Sequence, residues 1–128
     1  MQPPILNPEF FSLRKNYAVC RPVGALSLDD AVRLIDDSLR FCEENDITRL
    51  LANVTGSTPF PSPSITDRFW LITKWAESAR GRVILSVVAP AEIIHPEKIG
   101  VVFAENRGLY SDVFSDEDEA VNWLCSRD

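Results

Sequence analysis

The chain has 128 residues, 45% of them hydrophobic and 25% charged, the make-up of one globular domain that buries about two thirds of the surface its unfolded form exposes. Thirteen basic against nineteen acidic residues give a net charge of −6, which repels phosphate backbones and anionic membrane surfaces and excludes nucleic acid as an expected partner. The strongest apolar run, residues 83–89, falls far short of the roughly 20 residues that span a bilayer, so no membrane insertion is expected.

Residues 1–8 read as an N-terminal tail and 9–128 as a single domain. The tail lacks the basic start and apolar centre of a secretory signal, which makes the cytosol the expected location. Cys20, Cys42 and Cys125 are odd in number and widely spaced; they spell neither a disulfide framework nor a zinc site, and no cofactor is expected. Asn53-Val54-Thr55 spells a glycosylation sequon, which without a secretory signal is a coincidence at a strand end.

In chain order, residues 10–13 and 17–21 are short aromatic and β-branched stretches separated by Arg14-Lys15-Asn16, which predicts an antiparallel hairpin. Pro22 halts its second strand or marks it as an edge. Ser27, with Asp30 three residues on, opens a helix by capping its free amides, and Asp29 suits the positive helix end. Leu28, Ala31, Val32, Ile35, Leu39 and Cys42 then recur at helical spacing, with Asp29, Arg33, Asp36, Asp37, Arg40, Glu43 and Glu44 on the wet face.

Residues 50–54 are too few for a helix and too continuously apolar for a half-exposed strand, so they predict a central parallel strand. A proline-rich stretch follows, TGSTPFPSPSITDRFW over 55–70. Pro59, Pro61 and Pro63 fix φ and keep it extended, which lowers the entropy lost when something docks. Ser64, with Asp67 at the reciprocal position, caps a second helix. Ile65, Phe69, Ile72, Ala76 and Ala79 mark its inner stripe up to Gly81. Trp70 and Trp75 lie on different sides of it, so at least one borders the surface. Phe60 either tucks beneath the sheet edge or stands out as an anchor for a partner.

Residues 83–89 form the most apolar strand, expected at the sheet centre. Pro96 is placed to begin a third helix, with Ile99, Val102 and Phe103 inward and Gly108 as its stop. A short strand around Val113 and Phe114 precedes a last helix capped by Ser115, with Asp116, Glu117, Asp118 and Glu119 in its first turn and Ala120, Val121 and Leu124 inward. The order β-β-α-β-α-β-α-β-α requires an α/β fold, a mixed sheet with helices packed on it through right-handed crossovers.

Catalytic signals are sparse. The one histidine, His95, sits beside Pro96 at the expected helix start, and with Glu92 or Glu97 it makes an acid/base couple without nucleophile, metal or oxyanion site. Cys42 and Cys125 fall on faces expected to be buried and inert. No enzyme is expected.

This order of elements, with Val23-Gly24-Ala25-Leu26-Ser27 leading into the first helix, resembles the STAS domain of sulfate transporters and anti-sigma-factor antagonists, over about residues 9–127. Phe69-Trp70 with Trp75-Ala76-Glu77, and Asn106-Arg107-Gly108-Leu109, are similar to the small stand-alone bacterial STAS-like proteins. The resemblance implies a regulatory module that binds another protein, a regulator or a kinase-like partner, and implies that a serine at the start of the second helix takes a phosphate. Ser64 holds that position and Ser62, ahead of Pro63, is its neighbour, although the family's compact Asp-Ser-Ser/Thr-Gly turn is replaced here by Asn53-Val54-Thr55-Gly56 and the proline-rich loop. The surface expected to meet a partner, or a second copy in a homodimer, comprises Thr55, Gly56, Ser57, Thr58, Phe60, Ser62, Ser64, Trp70 and Trp75. The alternative is a small-molecule or lipid binder using an apolar cleft between sheet and helix.

Overall fold

The computed structural model describes residues 9–57 and 62–126. Its strands are β1 (Phe11–Leu13), β2 (Ala18–Cys20), β3 (Arg49–Asn53), β4 (Ile84–Val88) and β5 (Ser111–Phe114). Its helices are α1 (Leu28–Glu44), α2 (Ile65–Ala79), α3 (Ile99–Asn106) and α4 (Glu117–Cys125), with a single 3-10 turn at Ala91–Ile93. The strands form one sheet in the order β1-β2-β3-β4-β5. β1 pairs antiparallel with β2, and every later pairing is parallel, with Leu50 opposite Ala18 on one side and Leu85 on the other. The expected mixed α/β architecture and its element order are those observed.

Because the parallel strands follow one another in a single direction, right-handed crossovers carry α1, α2 and α3 to the same face. Among the described residues, α4, beyond the last strand, is the one helix left to cover the other. Alternation along each strand serves both layers: Ala18, Cys20, Leu50, Ala52 and Leu85 point into the larger core with Val32, Ile35, Leu39 and Trp75, while Val19, Leu51 and Val88 pack on Ala120 and Leu124.

Several local expectations are corrected. β3 holds the sheet centre, and β4 lies next to it; both are interior, so both read as continuous apolar runs. Pro96 does not begin α3. It occupies the second position of a turn closed by Lys98 N donating to His95 O (2.8 Å), where proline's fixed φ is favoured, and the helix starts at Ile99 after Lys98 in the left-handed region. His95 therefore precedes the helix by a full turn. The last helix is capped by the Asp116 carboxylate, which accepts from Glu119 N (3.1 Å), so Ser115 is not the cap.

Asp36, placed on the wet face of α1 by periodicity, is buried because α2 packs there: the Ser78 hydroxyl donates to it and Arg40 pairs with it at 3.5 Å. The inner stripe of α2 runs through Leu71, Ile72, Trp75 and Ala79; Ile65 and Phe69, expected inward, are exposed. Trp75 decides this rotation, since its ring fills the α1–α2 contact and its indole N–H donates to Val32 O (3.1 Å). Cys125 is exposed, while Cys20 and Cys42 are buried.

Candidate functional site

The loops that leave the carboxyl ends of β2 and β3 meet at one edge of the sheet. Asn53, the last residue of β3, is buried, and its amide clamps the turn. Its Oδ1 accepts from Thr55 N (2.9 Å) and Thr55 Oγ1 (2.7 Å), and its Nδ2 donates to Glu117 Oε1 (2.9 Å). Glu117 is held in turn by Arg21 at 2.6 Å. The sequon asparagine is thus spent inside the fold. Ser57 Oγ donates to Val54 O (2.7 Å), and Gly24 N donates to Gly56 O (3.2 Å), which ties the two loops together. A Cβ at Gly56 would stand 2.9 Å from Val23 Cγ1, so glycine is what permits this approach.

Of the expected surface, Thr55, Gly56, Ser62, Ser64 and Trp70 are exposed. Two residues leave it. Ser57 is buried by its bond to Val54 O, and Trp75 is only 6% exposed, wedged against α1. Thr58 and Phe60, with Pro59 and Pro61, lie outside the described residues. Ser64 makes the expected capping box, accepting from Asp67 N (3.0 Å) while Ser64 N donates to Asp67 Oδ2 (3.3 Å). Phe69 joins the surface instead, edge-on to Phe103 with centroids 5.4 Å apart and with the Arg107 guanidinium 4.8 Å above its ring. Ile65, Phe69 and Trp70, together with Val102 on α3, are large apolar side chains left in water.

Beneath this surface, between the sheet and α1, α2 and α3, lies an apolar cleft of about 130 Å³. Its floor includes Leu85, Val87 and Val113, and Ile72, Ile93 and Val101 wall it. Val87 and Val113 face the helical layer from interior and neighbouring strands yet are only half-buried, because the cleft opens above them.

Arg68 and Lys98 are the cations of this wall. Arg68 lies at the start of α2. Its Nε donates to Pro63 O (3.1 Å), and its Nη2 donates to Ser62 Oγ (3.0 Å) and Ile93 O (2.9 Å). Desolvation lowers its pKa below the usual guanidinium value. Reasoning from sequence passed over Arg68, although the signal was present: it continues the stripe Ala79, Trp75, Ile72 at helical spacing, a charge where the pattern calls for an apolar residue. His95 also lines the cleft, and its Nδ1 accepts from Glu97 N (3.1 Å), so the neutral ring carries its proton on Nε2. The remaining polar lining is Ser111 and Lys98 paired with Asp112 at 2.8 Å.

Among the described residues, no group of three or more His, Cys, Asp or Glu could hold a metal ion, and no helix is long and apolar enough to cross a membrane. Burial pushes the Cys42 thiol up to about 12, with Cys20 beside it a lesser cause, and burial raises Cys20 as well. Neither is a thiolate at neutral pH.

No family model matches the sequence, and no curated protein matches it significantly. Among solved structures the fold is similar to that of the anti-sigma factor antagonist SpoIIAA in its unphosphorylated form, with a TM-score of 0.50, 14% sequence identity, and coverage of 91% of this chain and 99% of that one. The likeness is one of fold, and it agrees with the STAS-type architecture expected from the sequence.

Proposed function

We propose that the protein is a non-enzymatic, cytosolic regulatory module of STAS type that binds a partner protein through the β3–α2 edge: Thr55, Gly56, Ser62, Ser64, Ile65, Phe69 and Trp70. The observation that carries this reading is the combination of a clamped turn with uncovered apolar side chains. Asn53 and Gly56 fix the turn over residues 53–57, and Ile65, Phe69 and Trp70 stay 55%, 43% and 45% exposed. Preorganised loops and exposed aromatics are what a recognition surface needs, since little ordering entropy remains to be lost on binding.

Of the two candidate phosphoacceptors, the surroundings favour Ser62. A phosphate on Ser64 would displace the cap and sit beside the Asp67 carboxylate, whereas Ser62 Oγ already lies 3.0 Å from Arg68 Nη2, which would offset part of the added charge. A second copy of the chain is one partner this face can take; light scattering would then read twice the 14.4 kDa chain mass. One observation favours a second reading, small-ligand binding: the apolar cleft behind α2.

The test is a binding titration with the partner recovered from the native cell. Phe69→Ala and Trp70→Ala are expected to weaken it at least tenfold, with Tyr110→Ala, exposed beside β5, leaving it unchanged. Equal affinity for all three variants would remove the proposed surface.

A further inference from the structure

The cleft combines two features that do not usually coincide: an apolar chamber and a cation without an opposing charge. Among the described residues no carboxylate comes within ion-pair distance of Arg68. Its three hydrogen bonds engage Nε and Nη2, and a guanidinium has five N–H donors, so both N–H groups of Nη1 remain for an incoming acceptor. Two backbone carbonyls and a hydroxyl orient the group without neutralising it. Lys98, the other cation in the lining, is already matched by Asp112.

We infer that the cleft binds a small monocarboxylate with an apolar body, its carboxylate on Arg68 and its hydrocarbon over Leu85, Val87 and Val101. This rests on the small-ligand reading and names its ligand class. The volume sets the size: a cavity of about 150 Å³ lined by Leu, Ile and Phe stays dry and admits benzene, so about 130 Å³ takes a body of about five carbons, the tail of hexanoate. The carboxylate supplies the charge the guanidinium lacks, and planar two-point pairing is the geometry Arg offers best.

The experiment is a titration of the full chain with butanoate, hexanoate, decanoate, hexanamide and inorganic phosphate, followed by NMR shifts of the Arg68 Nε–H and of the Leu85 and Val101 methyl groups. Hexanoate is expected to saturate all three. It should bind about 15-fold tighter than butanoate, since each buried methylene adds about fourfold. Decanoate should gain little more, which separates a free short acid from the end of a long acyl chain. Hexanamide and phosphate, lacking the charge or the body, should each bind at least tenfold more weakly. Arg68→Gln should lose the preference for hexanoate over hexanamide, and Val87→Phe, which fills the chamber, should abolish both.

Hexanamide binding as well as hexanoate would overturn the carboxylate assignment while keeping a ligand cleft. Phosphate matching hexanoate would do the same for the apolar body. No saturable shift with any probe would overturn the small-ligand reading as well. Because the selectivity series uses the unaltered chain, it holds even if a variant fails to fold.

Discussion

Replacing Asn53 with alanine removes three hydrogen bonds at once: two accepted from Thr55 and one donated to Glu117. Thr55 is exposed, so water can satisfy its freed amide and hydroxyl, and Glu117 keeps Arg21; the loss per bond is therefore at the lower end, and the sum is about 2 kcal/mol. For a chain of this length that corresponds to a fall in Tm of about 8 °C, at about 4 °C per kcal/mol. Asn53→Asp separates the two halves of the clamp. It retains the acceptor for Thr55 but sets a carboxylate where Nδ2 now meets Glu117 Oε1 at 2.9 Å, and like charges that close in a part-buried site repel. At neutral pH the aspartate variant is expected to be less stable than the alanine variant, and Glu117→Gln in the same chain should restore most of the difference. Thermal and urea denaturation read both effects. A Tm for Asn53→Ala within 1 °C of the unaltered protein, or an aspartate variant as stable as the asparagine, would refute the clamp.

Trp75→Phe should lower stability by about 1–2 kcal/mol through the lost bond to Val32 O and the smaller ring, whereas Trp70→Phe, in water, should stay within about 0.5 kcal/mol; paired urea curves distinguish them. In thiol labelling of the native protein Cys125 should react at once, and Cys20 and Cys42 only on unfolding; rapid labelling of all three would contradict their burial. The raised thiol of Cys42 stays protonated when folded but ionises near pH 9 when unfolded. Its contribution is thus full below pH 9 and is lost between pH 9 and about 12, at up to about 1.4 kcal/mol per pH unit. The stability gap between the unaltered chain and Cys42→Ala should narrow through that window; a constant gap would count against it.

What was legible in the sequence was whatever a single element decides for itself. The α1 stripe from Val32 to Cys42, the caps at Ser27 and Ser64, and the unbroken apolar run of β3 are local properties of spacing and hydrogen bonding, and all are in the structure. What was not legible depended on two elements meeting. Periodicity put Phe69 rather than Trp75 in the interior of α2, and was wrong because the choice rests on the Val32 carbonyl of another helix. Asp36 looked like a wet residue until Ser78 was brought to it, and Pro96, a sound helix starter, served equally well in a turn. The candidate site follows the same division: its loop residues were visible as an anomaly in composition, but the Asn53–Glu117 clamp and the placement of Arg68 over the cleft join positions far apart in the chain.

The most direct measurement is photo-cross-linking in the native cell, with a benzophenone side chain placed in turn at Thr55, Trp70, Lys15 and Tyr110. Discrete adducts to one protein from Thr55 and Trp70, and none from the two positions at the opposite end of the strands, is the expected pattern. Adducts arising equally from all four, or only from Lys15 and Tyr110, would place recognition elsewhere and contradict the account.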